Sequence, residues 1–340
     1  MADAGASLVG VDESLEQAGE LAPFGAPPAS ARKVSDYYQR MSPARTGTSA
    51  EIEQVRRFNR RVTQRVGALS DHYLSRSRAL GASRVLWEVG LDGCEVRALR
   101  ARLSIDSGQL SRLLRSLEGD GLVEVRPSPA DARIRVARLT GAGRAERRLL
   151  DDRSDELARS ILAPLDDAQR DELVAAMGTV ERLITASLVQ MRIVDPEHPD
   201  ARRCLRAYIA ELNRRSDIPF DPSNGSTAEP HEVRAPAGAF VVAYLNEEAI
   251  GCGAVKHRPG GPSDIKRMWM AESARGLGLG RRLLVTLERL ARESGATVAQ
   301  LETNNALSEA IALYRSAGYE EVPAFNDEPF AHRWFAKPLV

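Results

Sequence analysis

Several features that define other classes of protein are scarce or missing in this 340-residue sequence. Lysine and arginine (47) balance aspartate and glutamate (47), so the formal charge is zero. This balance excludes a polybasic protein and requires any contact with nucleic acid to come from a local patch. The sequence has no uncharged apolar run of about 18 residues, so we expect no membrane span.

Cysteine is equally scarce. Cys94, Cys204 and Cys252 lie far apart in the sequence, and none belongs to a Cys-x-x-Cys pair. A disulfide framework or a structural zinc site is therefore not expected, and we predict no metal site. The first twenty residues lack the basic and apolar regions of a signal peptide. Together these features predict a protein of the reducing cytoplasm.

The composition fits a globular protein, with 43% hydrophobic and 28% charged residues. At about 100–200 residues per domain, the length predicts two domains. Residues 1–50 are rich in Ala, Gly, Pro and Ser, which predicts a flexible arm with one short helix over Lys33–Met41. Residues 51–189 carry helical patterns with one hairpin, and residues 190–340 alternate strands with helices.

The periodicity of apolar residues supports this division. In the first helical segment they recur at spacings of three and four, at Ile52, Val55, Phe58, Val62, Val66 and Leu69. In the second half, runs of β-branched and alternating residues predict strands at Phe240–Leu245, Ala249–Val255, Ile265–Met270 and Thr297–Leu301. Helices are predicted there at Gly278–Glu293 and Ser308–Ala317. The join between the halves, Met191–Pro199, is short, so we expect the halves to touch.

Within the first half, the sequence predicts two short helices, Glu95–Leu103 and Ser107–Glu118, joined by a three-residue turn. Asp106 is a suitable N-cap for the second helix. This spacing is typical of a helix-turn-helix, whose second helix lies in the major groove of DNA. Its exposed side would carry residue types that can hydrogen-bond base edges, namely Ser107, Gln109, Ser111, Arg112 and Arg115.

The hairpin that follows supplies further basic residues. Asp131 and Arg133 lie at its tip, and Arg135 begins the returning strand. An arginine at such a tip can enter a narrow minor groove, and a carboxylate two residues away can orient it.

The helix-turn-helix, the hairpin GLVEVRPSPADARIRVARLT and the flanking long helices resemble the MarR-type winged-helix regulators. The resemblance covers about residues 51–188. It implies a homodimer formed through the first and last helices, about 51–69 and 166–188, and binding to a palindromic double-stranded DNA operator. The alternative is a winged helix that serves only as a dimerisation platform.

In the second half, the most informative motif is Arg275-Gly276-Leu277-Gly278-Leu279-Gly280, which follows a predicted strand and opens a predicted helix. Such a loop lets backbone amides approach a pyrophosphate. A third glycine three residues further on is absent, which argues against a dinucleotide-binding fold. A Gly-Lys-Ser/Thr sequence is also absent, which excludes a P-loop.

The segment from DIKRMWM through ARGLGLGRRLL to IALYRSAGYEEV resembles the GNAT acyltransferases, with the Arg-x-x-Gly-x-Gly pattern on Arg275, Gly278 and Gly280. The fold class implied for the whole chain is multidomain: a mainly α winged helix-turn-helix followed by an α/β (α+β) acyl-CoA N-acyltransferase fold. The resemblance covers about residues 190–340. It implies acetyl-CoA as cofactor, with its pantetheine arm in a gap where two neighbouring parallel strands splay apart.

The same resemblance implies which residues hold the cofactor. The loop amides from Arg275 to Gly280 would hold the pyrophosphate and the strand end the pantetheine. Asn304 or Asn305 would hydrogen-bond the pantetheine. The full set of expected cofactor residues is Met268, Trp269, Met270, Arg275, Gly276, Leu277, Gly278, Leu279, Gly280, Arg281, Asn304, Asn305 and Tyr314.

Acyl transfer to an amine needs a proton acceptor, a proton donor for the departing thiolate and a donor to the carbonyl oxygen. Tyr314 matches the tyrosine of the family, and the backbone N–H of Met270 is a candidate for the carbonyl oxygen. For the base, Asp264 lies eleven residues before Arg275, where histone-acetylating members carry a glutamate. Glu302, at the end of the next strand, is the competing candidate.

The expected protein is thus a dimeric DNA-binding regulator fused to an N-acetyltransferase that acts on an amine of a small molecule or a protein lysine. Two alternatives stay open: a transcriptional sensor of acetyl-CoA or amine with little turnover, and an enzyme whose winged helix only dimerises. The stretch His198–Thr227, including Tyr208 and Phe220, is expected to form much of the acceptor wall.

Overall fold

A computed structural model describes residues 47–68, 74, 78–215 and 228–339. Within these limits the helices are α1 (Ser49–Arg65), α2 (Leu80–Glu88), α3 (Val96–Leu103), α4 (Ser107–Gly119), α5 (Gly141–Leu162), α6 (Asp167–Leu188), α7 (Pro199–Arg215), α8 (Leu279–Glu293) and α9 (Ser308–Ser316). The strands are β1 (Cys94–Glu95), β2 (Val123–Pro127), β3 (Arg135–Leu139), β4 (Gln190–Val194), β5 (Gly238–Leu245), β6 (Glu248–Lys256), β7 (Ser263–Met270), β8 (Val298–Thr303), β9 (Glu320–Val322) and β10 (Arg333–Pro338). Most of the predicted arm, the predicted helix Lys33–Met41, Leu69 and Phe220 lie outside the described residues.

The first half forms a helix-turn-helix followed by a hairpin. The turn is made by Ser104, in the left-handed region at φ 52°, together with Ile105 and Asp106. The Asp106 carboxylate accepts a hydrogen bond from the Gln109 N–H at 2.8 Å, which confirms the predicted N-cap. Strands β2 and β3 pair in antiparallel fashion, and β1 adds to the outer side of β3.

One core holds this half together. The predicted apolar stripe of α4 is inside it, with Leu110, Leu114 and Leu117 buried and Leu113 packed against them. The other buried members are Val85, Leu86, Val89, Leu99, Leu122, Val123, Ala137, Leu139 and Leu150. Because the stripe faces inward, the opposite side of α4 is left at the surface.

Two long helices contribute little to any core. Neither α1 nor α6 contains a buried residue. Apolar side chains remain exposed on both: Ile52, Val55, Phe58 and Val62 on α1, and Val174, Met177, Leu183, Ile184 and Leu188 on α6. Exposed apolar rows of this length usually mark an interaction surface.

In the second half, β4 to β10 form one sheet in the order β4-β5-β6-β7-β8-β10-β9. Helix α7 covers one face, where Cys204 packs against Phe240 and Val242. Helix α8 covers the other face, where Leu279 packs against Ala243. Covering on both faces explains why β5 reads as a continuous apolar run, GAFVVAYL.

Strands β7 and β8 are parallel neighbours that pair only at their first residues. The register joins Ser263 to Ala299 and Asp264 to Gln300 and goes no further, although β7 continues to Met270. The two strands therefore separate towards their carboxyl ends. This gap confirms the splay that the resemblance implied.

A β-bulge interrupts β7 at the same level. Cys252 of β6 pairs with Trp269, and Ala254 pairs with Lys266, so two residues of β7 oppose the single residue Gly253. Arg267, the first of the two, has φ 56°, which is rare for a residue with a side chain. Bulges re-aim side chains, and this one interrupts the alternation of β7 beside the gap.

The two halves join without a linker. Helix α6 passes into β4 through Val189 alone, so much of the predicted join is part of the sheet. Arg282, in the first turn of α8, donates hydrogen bonds to the backbone oxygens of Ala186 at 2.8 Å and Val189 at 2.7 Å. Since terminal carbonyls of a helix lack partners within it, this guanidinium caps α6.

Among the described residues, no helix is long and apolar enough to cross a membrane.

Candidate functional site

A cleft that is open to solvent occupies the gap between β7 and β8. Its walls come from both strands, from α7 and α9, and from the segment before β10. The side chains that matter below are Tyr208, Arg215, Lys266, Arg267, Met268, Glu302, Asn304, Tyr314 and Glu328. The cleft thus gathers residues from about 120 positions of sequence into one place.

Tyr314 lies in the wall of this cleft, as its predicted role requires. Its ring packs against Tyr319, with centroids 6.0 Å apart, and against Phe335 at 6.1 Å. Burial raises the pKa of the Tyr314 phenol well above 10, and the charges of Tyr208 and Glu302 add to the rise. The hydroxyl is therefore protonated at neutral pH and can act as a proton donor.

Glu302 reaches the cleft from the carboxyl end of β8. One of its oxygens, Oε1, accepts a hydrogen bond from the Lys266 ammonium. The other, Oε2, is buried and has no hydrogen-bond partner in the described part of the chain. A buried acceptor without a partner costs free energy and is rare in folded proteins, so it is a candidate contact for a bound ligand.

Asp264, the first candidate for the base, lies elsewhere. It is 1% exposed at the beginning of β7 and is absent from the lining of the cleft. Its carboxylate accepts hydrogen bonds from Arg258 at 2.6 and 2.9 Å and from Gln300 Nε2 at 2.7 Å. All of these contacts fix the first residues of β7 and β8, so the geometry favours Glu302 over Asp264 as the base.

The glycine loop lies between β7 and α8. Gly276 and Gly278 have φ of 74° and 73°, which glycine adopts without strain. A Cβ built on either would meet nothing within 4 Å, so the space above the loop is open. Gly278 is the N-cap of α8 and supplies no side-chain cap, which leaves the first amides of the helix for a ligand. These residues fit the pyrophosphate of a coenzyme A group.

The Arg275 side chain is engaged within the protein. Its guanidinium bonds both oxygens of Glu211, at 2.6 and 2.5 Å, and the backbone oxygen of Met270 at 3.3 Å. Trp269 Nε1 donates to the same carboxylate at 2.9 Å. Glu211 is buried on α7 and therefore ties the end of β7 to the start of the glycine loop. The phosphate contacts of this loop must then come from backbone amides.

The remaining predicted cofactor residues divide into two groups. Met268 and Asn304 line the cleft, and the Asn304 amide is held by the Phe330 carbonyl at 3.0 Å. Asn305 instead accepts from Arg333 at 2.7 Å, and Arg281 donates to Ser316 at 2.6 Å. In the loop and first turn, Leu279 is buried in the core and Leu277 packs against it, so both can contribute only backbone groups there.

Several residues of the cleft carry little signal in the sequence. Helix α7 was not predicted, although Cys204, Tyr208 and Leu212 fall on one face at spacings of four. Its inner side places Glu211 and Tyr208 at the site. In the sequence, Lys266 and Arg267 are charged residues within a predicted strand, and no motif indicates a role for them. The described residues contain no group of His, Cys, Asp and Glu that could hold a metal ion.

On the winged helix, the predicted DNA-contacting residues are exposed apart from Asp131, which is half-buried. On α4, Ser107, Gln109, Ser111, Arg112 and Arg115 are all exposed. At the hairpin tip, Arg133 is 86% exposed and its guanidinium bonds both oxygens of Asp131 at 3.1 Å. This pair lowers the pKa of Asp131. Arg135, at the start of β3, is exposed as well.

An open sheet with two splayed parallel strands, a glycine loop leading into a helix, and a tyrosine and a glutamate in the gap together define an acyl-CoA-dependent N-acyltransferase. Comparisons with known proteins agree. Residues 206–319 match the acetyltransferase (GNAT) family, and residues 76–134 match the MarR family. The chain belongs to the GNAT family of N-acetyltransferases, uses acetyl-CoA, and carries a MarR-type DNA-binding domain in its first half.

Individual relatives cover the second half. The chain is 31% identical over 140 residues to the uncharacterized N-acetyltransferase YjgM of Escherichia coli. This alignment spans 40% of this chain and 84% of the relative. The chain is 33% identical over 119 residues to the IAA acetyltransferase of Azospirillum brasilense, spanning 35% and 78%. A GNAT acetyltransferase structure from Staphylococcus aureus is 17% identical, with a TM-score of 0.39, and covers 44% of this chain and all of its own length.

Proposed function

We propose that the protein is a homodimeric transcriptional regulator that binds a palindromic DNA operator and also transfers acetyl groups to an amine. The observation that carries the enzymatic part is the convergence of Glu302 and Tyr314 on one cleft, in the gap between β7 and β8. A cleft that only sensed a ligand would have no need of a proton acceptor and a proton donor.

The roles of the residues follow from their positions. When bound, acetyl-CoA supplies an acetyl thioester. Glu302 Oε2, which has no partner in the described part of the chain, accepts the proton of the attacking amine, and Lys266 holds the carboxylate in place. The Met270 N–H at the end of β7 would donate to the carbonyl oxygen of that thioester, and the Tyr314 hydroxyl would give its proton to the sulfur as the thiolate leaves.

Transfer itself is tested by mass spectrometry of purified protein incubated with acetyl-CoA and a panel of amines, including a lysine-containing peptide. We expect at least one acetylated amine to form with the protein and none to form without it. Binding of coenzyme A in calorimetry with no acetylated product from any amine would favour the sensor alternative.

The exposed apolar rows support the proposed dimer. Phe58 of α1 is 42% exposed and Leu183 of α6 is 64% exposed, and neither helix contains a buried residue. A second copy that covered both helices would remove these side chains from water, at about 25 cal/mol for each Å² buried. A symmetric dimer presents two copies of α4, which is why we propose a palindromic operator.

Two arginines are expected to behave differently in a gel-shift assay on the DNA upstream of the chain's own gene. Arg112→Ala on α4 should weaken binding to that DNA about tenfold or more, with little change on unrelated DNA, because a base contact carries sequence preference. Arg133→Ala at the hairpin tip should weaken binding to both DNAs to similar degrees. A stoichiometry of two chains per duplex is expected. Unchanged binding in both variants would contradict the proposed interface.

A further inference from the structure

One wall of the cleft contains an arginine that has no acidic partner among the residues that the structure describes. Arg267 lines the cleft, and within the described part of the chain its side chain makes one hydrogen bond, from Nη2 to the Ala228 carbonyl at 3.3 Å. Among the described residues, no carboxylate lies within ion-pair distance of it. A guanidinium has five N–H donors, so most of those of Arg267 have no acceptor within this part of the chain.

The other cations of the cleft are paired with carboxylates. Lys266 pairs with Glu302. Arg215 pairs with Glu211 and Glu309, each at 2.9 Å. Glu328 also lines the cleft. Of the three cations that line the cleft, Arg267 is thus the one without an ion pair among the described residues.

The backbone explains why Arg267 is directed into the cleft. It is the first of two bulge residues in β7 and has a left-handed φ of 56°. Such a conformation is strained in a residue with a side chain and persists where the surrounding structure enforces it, often at functional sites. Tyr208 lines the same cleft; burial raises the pKa of its phenol, and the charge of Arg267 opposes that rise.

We infer that Arg267 binds the carboxylate of the acceptor, and that the acceptor class is therefore amines that carry a carboxylate, such as amino acids. The inference rests on the proposed acetyl transfer. A half-buried guanidinium binds a planar carboxylate through two parallel hydrogen bonds. The same molecule would place its amine towards Glu302, whose Oε2 is available for the proton. Acetylation of the amine removes its positive charge and keeps the carboxylate on Arg267.

The test compares each L-amino acid of a panel with its own carboxamide, which differs only in the missing negative charge. Rates are expressed per concentration of neutral amine, since the carboxamide has the lower amine pKa. We expect wild-type kcat/KM to favour the best amino acid over its carboxamide about tenfold or more, the usual cost of leaving a charged hydrogen bond unmade. In Arg267→Gln the preference should fall to about twofold, through a rise in the KM of the amino acid.

Two controls separate a binding role from a structural one. Arg206→Gln removes an exposed arginine of α7 that is absent from the cleft lining, and it should keep the wild-type preference. Binding of the N-acetylated amino acid and its carboxamide, measured by calorimetry with coenzyme A present, reports recognition without turnover. We expect the same preference there, lost in Arg267→Gln.

The outcomes distinguish this inference from the function on which it rests. Equal kcat/KM for acid and carboxamide in the wild type, or equal loss for both in Arg267→Gln, overturns the role of Arg267 while acetyl transfer stands. Carboxylate-dependent binding without any acetylated product overturns turnover and keeps the recognition. Absence of preference in binding and in turnover overturns the inference.

Discussion

Replacing Tyr314 with phenylalanine is expected to lower kcat by about 10²–10⁴-fold, the usual contribution of a proton donor. The phenol lines the cleft and has a pKa well above 10, so it carries a proton to give. The ring contacts with Tyr319 and Phe335 do not involve the hydroxyl and should survive the change. Coenzyme A affinity, measured by calorimetry, should therefore stay close to that of the wild type.

Tyr319→Phe is the matched control for this prediction. Tyr319 is buried beside Tyr314 and also has a raised pKa, but it does not line the cleft. It should leave kcat within about twofold, because its hydroxyl is remote from the reacting atoms. An equal loss in both variants would show that packing, not proton donation, explains the effect. Full activity in Tyr314→Phe would remove the tyrosine from the mechanism.

The second large effect concerns the winged helix. Gly143 lies in the first turn of α5, and a Cβ built there would be 1.9 Å from the Leu122 backbone oxygen. That oxygen already accepts hydrogen bonds from the Thr140 N–H at 3.0 Å and the Thr140 hydroxyl at 3.2 Å, so the contact cannot open freely. Gly143→Ala is expected to destabilise this half by about 3 kcal/mol, the upper part of the range for overpacking.

Gly141→Ala tests whether the effect belongs to that one contact. Gly141 begins the same helix, and a Cβ there would meet nothing within 4 Å. Because alanine favours helix over glycine, this variant should match or slightly exceed the wild type in the free energy of unfolding, measured in urea. Gly143→Ala should also lose DNA binding but keep coenzyme A binding, since the cores of the two halves are separate. Equal stability of the two variants would contradict the prediction.

The sequence predicts some parts of this molecule well because their causes are local. The Asp106 N-cap, the inward stripe of α4 and the hairpin each depend on residues within fewer than twenty positions, and each agrees with the structure. Four strands and two helices of the second half also fall within two residues of their predicted bounds. Periodicity is enough where an element buries one face or is apolar throughout.

The site is harder to predict because distant contacts decide it. From sequence alone Asp264 is the preferred candidate for the base and Glu302 is its competitor, whereas the geometry favours Glu302. They separate only because Arg258 and Gln300 hold the first at the paired start of β7, while the second lies where β7 and β8 have parted. No local sequence pattern predicts the β-bulge that directs the Arg267 side chain into the cleft. Such features arise from the register between strands, which short-range patterns do not encode.

The passage from α6 to β4 has a mechanical consequence. Val189 is the whole connection between α6 and β4, and Arg282 donates to two backbone oxygens beside it. These contacts oppose rotation of the acetyltransferase half relative to α6. If α6 forms the dimer interface, each acetyltransferase half keeps a fixed orientation relative to the twofold axis. The distance between the two acetyl-transfer sites then stays constant. The same guanidinium also lies one helical turn from the phosphate loop. If the loop moves when it binds coenzyme A, the movement would therefore be transmitted through Arg282 to the end of α6.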